Sequence, residues 1–197
     1  MKLYWAPKTR ASRILWLLEE VGEPYEVETV DIRAEPRQDD PAFLEASPMG
    51  KVPAIVDGEI AVAESAAISI YVADRYSLGR LAPALDDPLR GRYLYWTMYT
   101  PAVVEPAMGE KFSGADSNRL SHGWGDYDTM IRTMEAGLDG HDWILGDEFS
   151  AADVMLGSSV VFMRLFGILP ESKTLSDYAD RCLARPAYQV ALQREGD

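Results

Sequence analysis

The sequence predicts an α/β segment ordered β-α-β, loop, β-β-α, followed by an all-α helical bundle. Three observations carry this reading. Short apolar or alternating runs suited to strands end by residue 62, apolar residues at helical spacing lie between and after them, and the turn-prone stretch SLGRLAPALDD separates the two regimes. The expected division is residues 1–77, a linker over 78–87 and a helical domain over 88–197.

Residues 2–6 (KLYWA) are short, apolar and aromatic, and Pro7 breaks that pattern. Ile14, Leu15, Leu17, Leu18 and Val21 then recur at helical spacing up to Gly22. From Tyr25, the run YEVETVDI alternates Tyr25, Val27 and Thr29 with charged residues and suits a second strand, after which residues 33–41 read as a charged, proline-bearing loop. Residues 52–56 and 60–62 are brief β-type runs joined by Asp57-Gly58-Glu59, a hairpin signal because glycine supplies the positive φ of a tight turn. From Glu64 onward, Ile68, Tyr71, Val72 and Tyr76 share one face of a third helix.

Asp87-Pro88 pairs a cap with a proline at a first helical position and opens a helix carrying Leu89, Tyr93, Trp96 and Tyr99. Pro101 and Pro106 are expected to kink or interrupt it. A second helical stretch is expected over residues 118–138. Ser150-Ala151-Ala152-Asp153 has the capping-box form just before VMLGSSVVFMRLF, a helix so apolar on every side that burial is expected. Residues 175–183 and a terminal helix opened by Pro186 complete the order.

Thirty-two acidic against 19 basic side chains give a net charge of -13, which repels phosphate backbones and anionic lipid, so neither nucleic acid nor a membrane is expected as a partner. No apolar run approaches the roughly 18 residues of a membrane span, and the opening MKLYW lacks the pattern of a signal segment, so the cytoplasm is the expected location. Cys182 is the single cysteine, which excludes an internal disulfide and a C-x-x-C pair. His122 and His141 have no second histidine or cysteine at ligand spacing and read as exposed, so no metal is expected.

Three loop-to-helix junctions carry candidate chemistry. The first, Pro7 to Arg13, places Thr9 and Ser12 before and within a first helical turn, whose unpaired N–H groups stabilise an anion such as a thiolate. The first 18 residues also hold Lys2, Lys8, Arg10 and Arg13 and no acid. Plain helix capping is the alternative. The second, Met49-Gly50-Lys51-Val52-Pro53, would present the Val52 N–H and C=O to a peptide-like ligand if the Val52-Pro53 bond were cis; an ordinary trans strand start is the alternative. The third, Glu64-Ser65 at a helix start, offers a carboxylate for an ammonium and a hydroxyl with its N–H for a carboxylate, matching the zwitterionic end of an amino acid, or serves as a cap.

Taken together, KLYWAPKTRASRILWLLEEVGEPYE, GKVPAIVDGEIAVAESAAISIYVADRY, WILGDEFSAADVMLG and RPAYQVAL resemble the cytosolic glutathione transferases along almost the whole chain. That resemblance implies a thioredoxin-like N-terminal domain, a cis Val52-Pro53 bond, Val52 on the cysteinyl backbone of glutathione with Lys51 nearby, and Glu64 with Ser65 on the γ-glutamyl group. Trp5 stands where tyrosine-type transferases carry their phenol, Tyr4 is expected on the opposite face, and no cysteine occupies residues 8–11, so a hydroxyl type is implied. Aligning Arg13 with the family's arginine makes Thr9 the catalytic hydroxyl and Ser12 the fallback.

The resemblance further implies a homodimer and a detoxifying enzyme that joins glutathione, its co-substrate, to a small apolar electrophile. Tyr95, Trp96, Tyr99, Val103, Met108 and Phe112 either line an apolar second-substrate pocket or pack the core. Two other outcomes remain open: a glutathione-dependent disulfide reductase or peroxidase, and a non-catalytic binding protein on the same fold.

Overall fold

The computed structural model describes residues 1–34, 40–115 and 118–196. They form two compact units: Met1–Ser77 together with the residues from Arg185 onward, and Leu78–Ala184.

In the first unit the order is β1 (Lys2–Trp5), α1 (Ala11–Val21), β2 (Glu26–Thr29), α2 (Pro41–Ala46), β3 (Ala54–Asp57), β4 (Ile60–Ala63) and α3 (Ser65–Tyr76). The sheet order is β2-β1-β3-β4, with β1 parallel to β2 and antiparallel to β3, and β3 antiparallel to β4. The helical spacing read in α1 corresponds to its core face, since Ile14, Leu15, Leu17 and Leu18 are all buried. Gly22 ends that helix at φ +83, where its N–H donates to Leu18 C=O and a side chain would strain. Asp57 pairs with Ile60 across the two-residue turn Gly58-Glu59, and Gly58 sits at φ +63 as a tight hairpin demands.

The expected loop over residues 33–41 falls partly on 35–39, outside the described residues. It is followed by α2, a helix of six residues that is too short to show a periodic face. Pro41 takes its first position and Asp40 caps it, accepting from Ala42 N–H at 3.0 Å. α2 buries Phe43 and Ala46 against Tyr4 and Ala54, so Tyr4 is core.

The second unit holds α4 (Arg90–Tyr99), α5 (Glu105–Ser113), α6 (Tyr127–Leu138), α7 (Ala151–Leu165) and α8 (Lys173–Leu183). A π-helical turn over Thr100–Val104 joins α4 to α5. Pro101 has no N–H to donate, so the chain widens by one residue there and Glu105 N–H reaches back to Thr100 C=O.

The helix expected from residue 118 begins only at Tyr127. Gly123 and Gly125, the latter at φ +73, favour turns over residues 118–126, and Asp126 then caps α6 by accepting from Thr129 N–H at 2.7 Å. The capping box of Ser150 and Asp153 is formed, and α7 is buried along most of its length. Asp153 is fully buried and accepts from Ile144 N–H, Ser150 N–H, Ser150 O–H and Tyr178 O–H at 2.8–3.0 Å. Burial raises its carboxyl above the ordinary range, while those four bonds pull it down.

The last helix, α9 (Pro186–Gly196), follows the helical segment in sequence but packs on α1 in the first unit. Its partners there are side chains of α1 that a reading of local periodicity does not connect with it.

Candidate functional site

Strand register decides which loops meet. Tyr4 pairs with Ala54 and Ala54 with Ala63, so the end of β1, the start of β3 and the end of β4 coincide. The chain segments immediately beyond these residues are Ala6 to Arg10, Met49 to Pro53, and Glu64 with Ser65. All three sequence-predicted junctions therefore gather at one end of the sheet, within the first unit.

In the first junction, Thr9 O–H donates to Ala6 C=O at 2.7 Å and Thr9 Oγ1 accepts from Ala11 N–H at 3.1 Å. A hydroxyl has one proton, so donation to an incoming sulfur requires Thr9 to release Ala6. Ser12, one turn on, donates instead to Glu195 Oε1 of α9 at 2.6 Å, and Lys8 N–H donates to the same oxygen at 2.5 Å. Lys8 occupies φ +58, a left-handed conformation that costs a non-glycine residue about 1–2 kcal/mol.

The second junction is tied by Ser47, 1% exposed. Its hydroxyl donates to Lys51 C=O at 2.7 Å and accepts from Lys51 N–H at 3.1 Å, while Gly50 N–H donates to Ser47 C=O at 2.7 Å. Gly50 stands at φ +59, as this tight turn needs. Val52-Pro53 is cis, as the family resemblance implies. Val52 is half-buried, Pro53 buried and Lys51 exposed.

At the third junction Glu64 is at φ +71, immediately before Ser65 begins α3. Neither side chain caps the helix: among the described residues, no hydrogen bond occupies the Glu64 carboxylate or the Ser65 hydroxyl. The capping alternative read from the sequence thus fails here, and both groups remain open to an external partner. At Thr9 the cap on Ala11 N–H uses an oxygen lone pair, while the hydroxyl proton goes to Ala6 C=O.

Two further readings change. Lys2 does not join the cation cluster, because it starts β1 at the opposite end of the sheet and pairs with Glu28 at 2.8 Å. That hydrogen bond raises its ammonium above the ordinary range. His122, expected exposed, is 31% exposed, stacks on Trp124 and lies 2.6 Å from Glu110. In the second unit Trp96 and Tyr99 are buried core, whereas Tyr95 and Phe112 stand about half exposed.

Sequence reasoning missed Ser47 and Glu195. The Ser-Pro-x-Gly spacing ahead of Lys51 was an available turn signal for the first. Nothing local announces Glu195, which lies 187 residues from Lys8.

Comparison with known proteins is consistent along the chain. A model described as glutathione S-transferase, N-terminal domain, matches residues 1–74, and one described as glutathione S-transferase, C-terminal domain, matches residues 101–181. The chain is similar to glutathione S-transferase GST-4.5 of Xanthomonas campestris, 27% identical over 100% of this chain and 99% of that protein. It is also similar to the disulfide-bond oxidoreductase YfcG of Escherichia coli, 28% identical over 96% and 93%. A sphingomonad glutathione S-transferase solved with glutathione superposes with a TM-score of 0.78 at 29% identity, covering 100% of this chain and 99% of that one.

Proposed function

The chain belongs to the glutathione S-transferase family, and from that premise we propose that it binds glutathione at the gathered end of the sheet and activates its thiol for attack on an apolar electrophile. Its first unit is the family's thioredoxin-like βαβ-ββα domain with a mixed four-stranded sheet, and its second unit is all-helical. The observation that carries the proposal is the convergence of three junctions with complementary polar groups, two of which, Glu64 and Ser65, are left open.

In this reading Glu64 takes the γ-glutamyl ammonium, and Ser65 with the N-terminus of α3 takes its carboxylate. Val52 pairs its backbone with the cysteinyl residue, with Pro53 completing the turn, and Lys51 lies beside the tripeptide. Thr9 turns its hydroxyl from Ala6 to the sulfur. A hydrogen bond to a charged group, worth about 1.5–3 kcal/mol, takes a thiol from about 8.5 toward neutrality. The thiolate then forms a carbon–sulfur bond as the leaving group departs with its electron pair, and the thiol proton passes to solvent. Holding both reactants in place supplies much of the acceleration.

Both hydroxyl protons are engaged, Thr9 with the neutral Ala6 C=O and Ser12 with the Glu195 carboxylate, and because a bond to a carboxylate is the stronger, Thr9 is the easier of the two to turn to a sulfur. The test is turnover of a chloro-nitroaromatic acceptor, with the absorbance of bound glutathione thiolate followed against pH, in wild type, Thr9→Ala and Ser12→Ala. The thiolate curve should move to higher pH in Thr9→Ala. Turnover no faster than the uncatalysed reaction, or a Thr9→Ala curve identical to wild type, overturns the proposal.

A second reading is favoured by the cysteine count and by the similarity to YfcG. Cys182 is the only cysteine and is buried in the second unit, so disulfide reduction here would draw on two glutathione molecules. One glutathione thiolate attacks the substrate disulfide, and a second resolves the mixed disulfide, giving two substrate thiols and oxidised glutathione. Turnover of a small dithiol's oxidised form without turnover of aromatic halides decides for it.

A homodimer in the cytoplasm with a detoxifying role belongs to the same proposal, and sedimentation analysis tests the dimer. Among the described residues no helix is long and apolar enough to cross a membrane.

A further inference from the structure

α9 is fastened to α1 along its length. Arg185, just before its first residue, grips Glu20 at 2.5 and 2.8 Å; Tyr188 meets Trp16 edge-on with ring centroids 5.0 Å apart; Arg194 lies 2.8 Å from Glu19. The next residue, Glu195, is thereby delivered to the loop that carries Thr9.

There a single carboxylate oxygen accepts two hydrogen bonds, from Lys8 N–H at 2.5 Å and Ser12 O–H at 2.6 Å. The donors flank Thr9, one residue before it and three after it. Within this bracket Ser12 N–H donates to Thr9 C=O at 3.2 Å, and the Thr9 hydroxyl hangs between Ala6 C=O and Ala11 N–H. Lys8 holds a left-handed φ of +58, a conformation that persists in a non-glycine residue only where its surroundings specify it. The bond to Glu195 is such a specification, and it comes from outside the loop.

We propose that Glu195 is a positioning residue for thiol activation, a tether from the end of the chain that fixes residues 8–12 so that the Thr9 hydroxyl stands where the sulfur of glutathione arrives. The inference rests on the glutathione chemistry proposed above for this site. Its action is mechanical: a negative charge beside a developing thiolate disfavours that thiolate, so the charge of Glu195 cannot be the source of activation. The useful property is acceptance of both hydrogen bonds, which a neutral amide oxygen retains.

The experiment compares wild type with Glu195→Ala and Glu195→Gln by three readouts: hydrogen exchange of the Lys8 amide, the pH profile of bound glutathione thiolate, and kcat against KM for glutathione. In Glu195→Ala, Lys8 protection should fall about tenfold or more. The thiolate curve should move to higher pH and kcat should drop about tenfold, while KM for glutathione changes less than about threefold because the grips at Val52, Glu64 and Ser65 are untouched. Glu195→Gln should recover most of the lost kcat and keep its thiolate curve at or below the wild-type pH.

An unprotected Lys8 amide in wild type overturns the tether. So does a Glu195→Ala enzyme with wild-type kcat and thiolate curve, or a Gln variant as impaired as Ala. Absence of glutathione binding by wild type sinks the functional reading itself and this role with it, whereas wild-type binding with unchanged turnover in Glu195→Ala sinks the tether alone.

Discussion

Glu20 and Arg185 meet as a fork across 165 residues of chain: Arg185 Nε stands 2.5 Å from one carboxylate oxygen and Nη2 2.8 Å from the other. Trp16 Nε1–H donates to the same carboxylate at 2.9 Å, and the Glu20 side chain is only 6% exposed. Removing the guanidinium leaves a desolvated charge with reduced compensation. Arg185→Ala should therefore lower unfolding free energy by about 2–3 kcal/mol, measured by urea denaturation. Arg185→Lys should recover only part of that loss, since an ammonium cannot reproduce the two parallel bonds.

Gly157 in α7 is a packing glycine. A Cβ there would lie 2.4 Å from Cys182 Sγ and 3.6 Å from the Tyr178 hydroxyl oxygen. Gly157→Ala gains about 1 kcal/mol of helix propensity but overpacks a closed core at a cost of about 2–3 kcal/mol, so the net loss should be about 1–2 kcal/mol. Adding Cys182→Ala removes the obstructing sulfur. The double variant should be more stable than the sum of the two single losses, a coupling that thermal unfolding of all four proteins measures.

Ser47→Ala deletes both bonds of the clamp on Lys51 and leaves the Lys51 N–H and C=O without that partner. The expected cost is about 1–2 kcal/mol of stability. A loosened turn ahead of Val52 should also weaken glutathione affinity several-fold, with kcat at saturation altered less. Calorimetric titration with glutathione beside steady-state kinetics checks the split.

Asp57 ties the end of β3 to α3. Tyr76 O–H donates to its Oδ2 at 2.6 Å and Tyr71 O–H at 2.8 Å, with Arg75 Nε 3.2 Å away. The Tyr76 bond foremost, then the Tyr71 bond and the Arg75 charge, hold the carboxyl below the usual range against the opposing effect of desolvation. A carboxyl that binds its proton less tightly folded than unfolded adds stability above its unfolded pKa of about 3.9 and loses it as pH falls through the folded value. The melting temperature of wild type should therefore decline below about pH 4 more steeply than that of Asp57→Asn, whose side chain does not titrate there.

Much of this protein is legible locally. Alternation marked β2, four-residue periodicity marked α1, Gly58 marked the hairpin, and Ser150 with Asp153 marked the start of α7. The start of α6 falls later than the sequence reading places it, because Gly123 and Gly125 favour turns over residues 118–126. The open state of Glu64 and Ser65 was not legible either: a hydroxyl and a carboxylate at a helix start read equally well as caps.

By itself the sequence determined the order of strands and helices, the turn chemistry and the residue types available at each junction, because each depends on neighbours a few positions away. Tertiary structure alone decided that β1, β3 and β4 align so that three junctions share one end of the sheet. It also carried Lys2 away from them and brought α9 back onto α1 with Glu195 at Lys8 and Ser12. These are contacts between residues tens to nearly two hundred positions apart. They follow from burying the apolar faces of all the elements at once, a condition that no local spacing records.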